Sequence, residues 1–125
     1  AARGGGMHIP TIIIPALTGI NMNVESIKMS LGIENVNLTP KYERSVMLKF
    51  LIAPPGKLLD IKGLDKLESR DDIKFYYIDY KIGEIVRELK TGGDRAGYII
   101  FDGETRQIVL KKEKEIENLI KWEVE

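Results

Sequence analysis

A chain of 125 residues with 19 basic side chains, 19 acidic side chains and no cysteine predicts one soluble domain without disulfides or thiolate metal sites. Its zero formal net charge and lack of a basic stripe argue against a nucleic-acid partner. The longest apolar run, IIIPALTGI, is about half of a membrane span and lacks the basic segment that opens a signal peptide. We therefore expect a cytoplasmic protein without a membrane partner.

Two helices are predicted near the start of the chain. The segment HIPTIIIPALTG begins with a proline and ends at Gly19, which predicts a short buried helix that is kinked or restarted near Pro15. In NMNVESIKMSLG, Asn23 is the expected N-cap of a second helix that ends at Gly32. The apolar positions of this helix share one face: Val24, Ile27 and Leu31.

Five strands are predicted after these helices. Alternating apolar residues indicate a strand at YERSVMLKFLIA, and the turn PPGK leads to a returning strand, LLDIKG, so that the two form an antiparallel hairpin. Residues that favour β-structure predict three more strands, at IKFYYIDY, EIVREL and AGYIIF. The segment TGGDRAG, between the last two, is expected to be a hairpin loop with Asp94 and Arg95 as an exposed pair. The alternative is a nest of backbone N–H groups that binds an anion.

The last helix is expected to begin at the cap residue Thr105. Its run KKEKEIE is interpreted as the solvated face, where Lys111 and Lys112 lie three or four residues from Glu115.

The predicted fold class is therefore α+β, an antiparallel sheet with flanking helices, in a single domain over residues 1–125. Residues 1–32 would supply a glycine-rich loop and two helices, and residues 42–125 the sheet and the last helix.

The loop at the start of the chain is the first candidate for chemistry. Arg3 is followed by Gly4, Gly5 and Gly6. Glycines let backbone N–H groups approach an anion, and a guanidinium binds a phosphate or carboxylate through two parallel hydrogen bonds. The positive end of the following helix would add to this field. These residues alone fit an anion-binding loop or a linker ahead of Met7, and both interpretations stay open.

His8 and Lys49 are the other candidates. His8 is the only histidine, so it is either a ligand contact or a partly buried side chain bonded to backbone. Lys49 lies within a predicted strand, where it either points to solvent or faces a cleft that binds an anionic substrate. No pattern predicts metal ligands or a serine–histidine–acid triad.

Five short motifs follow one another along essentially the whole chain: AARGGGMHIPTIIIPALTGIN, SVMLKFLIAPPGKL, IKGLD, YKIGEIVREL and DRAGYIIFDGETR. In this order and spacing they resemble the C-terminal end of ATP-grasp ligases, in the branch of amino-acid ligases, biotin carboxylase and the large subunit of carbamoyl-phosphate synthase. That family has an arginine four residues after a magnesium-binding glutamate, then a glycine-rich stretch, and Arg3 matches that arginine. The glutamate would lie ahead of residue 1, and Ala1 stands where many members have a metal-binding asparagine. The family's TG phrase matches Thr18, Gly19 and Ile20.

The resemblance implies an enzyme that holds ATP and Mg²⁺ between two α+β lobes, converts a carboxylate to an acyl phosphate and lets an amine displace the phosphate. It implies catalytic roles for Arg3 and Lys49. It also implies a cofactor-binding role for the residues around the glycine loop: Gly4, Gly5, Gly6 and His8.

Most of the ATP cradle would lie in an N-terminal part of the same enzyme, which is the expected partner beside the carboxylate and amine substrates. The chain alone is expected to be inactive and to bind neither ATP nor Mg²⁺ tightly, and exposed apolar surface would let it form a homo-oligomer. The alternative is a free-standing interaction or regulatory module that begins at Met7.

Overall fold

The computed structural model describes residues 5–125, in which the strands form two three-stranded antiparallel sheets. The elements in chain order are a π-helix Ile9–Ile13, α1 Ile14–Thr18, α2 Met22–Ser30, β1 Ser45–Leu51, β2 Gly56–Lys62, α3 Leu64–Glu68, β3 Ile73–Ile78, β4 Ile85–Val86, a 3-10 turn Gly92–Asp94, β5 Gly97–Gly103, α4 Arg106–Leu119 and β6 Lys121–Val124. The predicted α+β class is confirmed. Within residues 5–125, the helices are too short or too polar for any of them to cross a membrane.

The first helical segment changes its pitch at Ile14. The Ile13 N–H donates to the carbonyl of His8 at 3.0 Å, and this five-residue spacing is the mark of a π-helix. The segment restarts as α1 with Pro15 in its first turn, where a missing N–H does no harm, and it ends at Gly19, whose φ is +75°. The restart and the end are as predicted. The segment is half-buried rather than buried, because one side of it packs on a sheet and the other faces solvent.

The second helix, α2, begins earlier than predicted. Asn21, not Asn23, is its N-cap, and the Asn21 carboxamide oxygen accepts from the Val24 N–H at 3.2 Å. Helix α2 ends in Gly32, where φ is +68° and the Ile33 N–H donates to the Lys28 carbonyl at 2.9 Å. Both ends of α2 are therefore well defined.

The first sheet has β5 in its centre, paired with β1 on one side and with β3 on the other. The predicted β1–β2 hairpin is wrong, because β2 instead lies at the centre of the second sheet, between β4 and β6. The connection contains Pro54 and Pro55, which lack N–H donors and cannot close a tight hairpin ladder. It carries the chain from one sheet to the other.

The segment TGGDRAG makes a similar crossing. It follows β4, in the second sheet, and leads into β5, in the first, so the predicted hairpin loop is wrong. The Asp94 carboxylate accepts from the Thr91 N–H at 2.8 Å and from the Thr91 hydroxyl at 2.9 Å, and it does not pair with Arg95 as predicted. The last strand, β6, was not predicted, because the four residues after α4 continue its mixture of charged and apolar side chains.

The main core lies between the two sheets and α4. Helix α4 is capped by Thr105 as predicted, since the Thr105 hydroxyl accepts from the Ile108 N–H at 3.3 Å. It covers one face of the first sheet, which we name the inner face. The opposite, outer face carries the π-helix and the loop before it. The residues of the core that are almost completely buried are Leu58, Leu67, Val86, Ala96, Ile99, Phe101, Val109 and Ile116.

Candidate functional site

The loop Gly5–His8 lies over the outer face of the first sheet. Arg3 and Gly4 lie outside the described residues. Met7 and His8 both have left-handed backbone angles, with φ of +53° and +59°, which non-glycine residues seldom adopt and which must be held by surrounding contacts. An added Cβ at Gly6 would meet no atom within 4 Å, so the backbone there can be approached from outside.

His8 anchors this loop to the sheet. Its Nε2 atom is hydrogen-bonded to the hydroxyl of Tyr98 in β5 at 2.9 Å, and its Nδ1 atom lies 3.4 Å from the hydroxyl of Thr11. The imidazole also packs on the ring of Phe75 in β3, with 4.5 Å between ring centroids. His8 is partly buried, but its partners are the side chains of Tyr98, Phe75 and Thr11 and not backbone. Its cofactor-binding role stays a prediction.

A cavity of about 180 Å³ opens beside the anchored loop. Its floor is the outer face of β1, β3 and β5, and its rim includes the backbone of Gly92 and Gly93. The guanidinium of Arg95 lies 3.6 Å from the centroid of the Phe50 ring, a cation–π contact that fixes a positive charge at the rim. Asp79 adds a negative charge. The lining residues are Met7, Phe50, Tyr77, Asp79, Gly92, Gly93, Arg95, Gly97 and Tyr98.

This combination of aromatic surface and one charge of each sign suits a small zwitterionic molecule. The rings would cover its apolar part, and Arg95 and Asp79 would face its carboxylate and ammonium groups. The strained loop that holds His8 forms one wall of the same cavity. The structure thus brings Met7, His8 and the aromatic residues of the outer face together.

Lys49 lies on the inner face, away from this cavity. Its ammonium group donates to Glu113 at 2.7 Å and to Glu117 at 2.5 Å, both in α4. The hydrogen bond to Glu113, followed by that to Glu117, raises the pKa of Lys49. These contacts explain Lys49 as a link between β1 and α4 within the described residues, and its predicted catalytic role stays a prediction that this geometry does not support.

An open groove of about 970 Å³ lies next to a network of ion pairs at one end of the first sheet. Asp102, whose side chain is 5% exposed, accepts from Arg44 Nε at 2.9 Å. Its other carboxylate oxygen has no hydrogen-bond donor among the described residues but lies 3.5 Å from Lys74 Nζ. Since the Asp102 carboxylate lies between the cations of Arg44 and Lys74, which come from two different segments of the chain, we interpret the network as structural.

Asp72 connects this network to α4. Arg70 donates to it at 2.7 and 2.9 Å, and Lys112 Nζ lies 2.9 Å from its carboxylate. Lys112 also donates to the Asp102 carbonyl at 2.9 Å, so it is not part of a solvated face as the sequence suggested. The hydrogen bonds from Arg70, and then from Lys112, lower the pKa of Asp72 from 3.8 to about 2.

The low pKa of Asp72 predicts a specific loss of stability in acid. A carboxyl group with a lower pKa in the folded state stabilises the fold above its unfolded pKa, and this contribution is lost as the pH falls from about 4 to about 2. A shift of this size corresponds to about 2 kcal/mol. We expect Asp72→Asn to be less stable than the parent chain at pH 7 and equally stable near pH 2, by urea unfolding followed through Trp122 fluorescence.

The matched control for this experiment is Asp71→Asn. Asp71 is the exposed neighbour of Asp72 and should keep the full acid dependence of the parent chain. An Asp72→Asn variant whose stability falls with pH as steeply as that of the parent would contradict the assignment.

Residues 5–125 contain no group of three histidine, aspartate or glutamate side chains that could hold a metal ion. Asp72 and Asp102 are close to several cations, which disfavours a further cation at either carboxylate. The described residues therefore do not fit a magnesium site.

Comparison with known proteins identifies the fold. A family model described as L-amino acid ligase C-terminal domain 2 matches residues 49–125, which is more than half of the chain. The chain belongs to this family. The L-amino acid ligase from Bacillus licheniformis superposes with a TM-score of 0.78 and 17% identity, over 100% of this chain and 31% of that one. No curated protein matches the chain by sequence.

A second solved enzyme has the same fold. Phosphoribosylglycinamide synthetase from Anaerococcus prevotii superposes with a TM-score of 0.73 and 20% identity, over 94% of this chain and 30% of that one. The predicted resemblance to the C-terminal part of ATP-grasp ligases is confirmed. This member of the L-amino acid ligase C-terminal domain family therefore spans about a third of the length of either solved enzyme.

Several residues of the candidate site were missed by sequence reasoning. Arg95 was assigned to an exposed pair, and Tyr77 was not identified as a site residue. Phe75 and Tyr98 were not singled out. A signal does exist for these aromatic residues: Phe75 and Tyr77 alternate along β3, and β5 has a tyrosine directly before its two isoleucines. Alternation places side chains on one face, but it does not say which face meets the loop.

Proposed function

We propose that this chain is the C-terminal part of an ATP-dependent ligase that activates a carboxylate as an acyl phosphate and joins it to an amine. The observation that carries the proposal is the strained glycine-rich loop Gly5–His8, which His8 holds beside a cavity suited to a zwitterion. Family membership and the superposition of this whole chain on 31% of an L-amino acid ligase support the same chemistry. They favour a carboxylate–amine ligase over a carbamoyl-phosphate synthase.

The substrates we propose are L-amino acids. In such a molecule the apolar side chain would lie on Phe50 and Tyr77, with its charged groups near Arg95 and Asp79. This arrangement would hold the carboxylate that is activated near Arg95, with the loop Gly5–His8 as one wall of the cavity. Arg3, two residues before Gly5, is proposed to stabilise the negative charge that develops on the acyl phosphate.

ATP and Mg²⁺ are proposed to be held by another part of the longer enzyme, because the described residues do not provide the carboxylates for a metal. ATP supplies the phosphoryl group when it is bound there. The residues of this chain would orient the carboxylate and exclude water from the acyl phosphate, and we expect the isolated chain to be inactive.

The test uses the longer protein and the 125-residue chain side by side, with ATP, Mg²⁺ and single L-amino acids or pairs of them. We expect carboxylate-dependent ADP release from the longer protein, and hydroxylamine should trap the acyl phosphate as a hydroxamate. ADP formation by the 125-residue chain above background would contradict its proposed incompleteness. A longer protein that releases no ADP with any amino acid and forms no hydroxamate would contradict the proposed reaction.

A further inference from the structure

Helix α2 exposes apolar side chains to solvent and buries a charged one. Its apolar face, formed by Val24 and Ile27 of the helix and by Leu31 directly after it, is 43%, 58% and 70% exposed at these three positions, whereas Glu25 is only 9% exposed. Helices on the surface of a globular protein normally bury the apolar stripe and expose the charges. The apolar face of α2 is therefore largely uncovered within residues 5–125.

The inversion does not come from a poorly formed helix. Asn21 caps its start and the glycine turn closes its end. Glu25 fixes the orientation of the helix, because the Glu25 carboxylate accepts from Lys28 Nζ at 2.8 Å and from the Asn37 N–H at 2.8 Å. The second hydrogen bond links α2 to the connector between α2 and β1. The main packing partner of α2 is the π-helix. The apolar face is thus held outward by specific contacts.

We infer that the apolar face of α2 is the docking surface for the ATP-binding part of the same longer ligase. This inference rests on the proposed function. The family model begins at residue 49, and α2 precedes that point, yet the superposition on the Bacillus licheniformis ligase includes α2 and covers only 31% of that enzyme. Helix α2 therefore lies ahead of the residues that match the C-terminal domain model and has a counterpart in the fold of that enzyme.

The chemistry of the face also fits a protein lobe. The nearest cation on α2, Lys28, is engaged by Glu25, so the face offers apolar contact without unpaired charge, as the surface of a permanent interface does. A nine-residue helix is about 14 Å long. Two copies packed only through α2 would bury much less than the roughly 800 Å² per partner of a stable complex, whereas a whole lobe can extend over α2 and the neighbouring connector.

The absence of native cysteine in this chain allows a direct test by thiol labelling. Leu31→Cys places a thiol on the apolar face, and Lys90→Cys, at a side chain that is 73% exposed, is the matched control. Each is made in the 125-residue chain and in the longer protein, whose other cysteines are replaced, and the rate of maleimide modification is measured. We expect similar rates at the two positions in the short chain and at least tenfold slower labelling of Leu31→Cys in the longer protein.

The outcomes distinguish a failure of the proposed docking surface from a failure of the proposed reaction. Equal labelling of both thiols in the longer protein would overturn the inference, even if that protein releases ADP as proposed. Protection that grows with concentration of the short chain would assign the face to a second copy and also overturn it. Protection of Leu31→Cys in a longer protein that is inactive with every amino acid would support the docking surface and count against the proposed reaction alone. A reading frame without an ATP-binding part would overturn both.

Discussion

Replacement of Gly97 by alanine is expected to lower the free energy of unfolding by about 4 kcal/mol, or to prevent folding. Gly97 begins the central strand of the first sheet, and its φ is +146°, a conformation that an L-residue adopts only with strain. A Cβ at this position would lie 2.0 Å from the carbonyl oxygen of Tyr77. The cost combines about 1–2 kcal/mol for the backbone conformation with about 1–3 kcal/mol for the displacement of the neighbouring strand.

Gly83→Ala is the matched control for this prediction. Gly83 has a φ of +93°, but an added Cβ would meet no atom within 4 Å, so this variant should lose only about 1–2 kcal/mol. Urea unfolding followed by the fluorescence of the single tryptophan, Trp122, compares the two variants with the parent. If both variants lose the same stability, the close approach of β3 to Gly97 is not a constraint on the fold.

The strands could be found from the sequence because alternation and β-propensity are local properties. The way they pair could not, since it depends on which strand can be buried on both faces. In β5, six of the seven residues are buried, and this strand needs a neighbour on each edge. Strands β1 and β3 pair with its two edges, and β2 instead forms the centre of the second sheet. The two prolines after β1 were interpreted as a turn, although they instead separate the sheets.

The side-chain partners at the site could not be predicted for a similar reason. His8 and Tyr98 are 90 positions apart, and Lys49 and Glu113 are 64 apart. A lysine on a strand and a glutamate on a charged helix each look solvated when considered alone. Only the packing of α4 on the inner face makes them partners, and the same packing removes Lys112 from the solvated face. The order of the motifs led to the correct family although these local rules did not predict the contacts, because members of one family share the same order of motifs and the same fold.

In the longer ligase that we propose, His8→Asn is expected to lower kcat by about 10- to 100-fold. Asparagine tolerates the left-handed backbone of residue 8, so the loop can still form. The variant loses the ring contact with Phe75 and the hydrogen bond to the Tyr98 hydroxyl. A displacement of a substrate-positioning loop by about 1 Å is sufficient for a 100-fold loss.

The hydroxyl of Tyr98 provides a second test of the same anchor. Tyr98→Phe removes the hydrogen bond and keeps the aromatic ring, so a loss of about 3- to 10-fold in kcat is expected, in line with about 1 kcal/mol for one hydrogen bond. Because both changes act through one contact, the double variant should be no slower than His8→Asn alone. Tyr76→Phe removes a hydroxyl from the inner face, where its partner is Glu68, and should leave kcat unchanged. Multiplicative losses in the double variant would show that His8 and Tyr98 act independently, and the anchor would then not be what positions the loop.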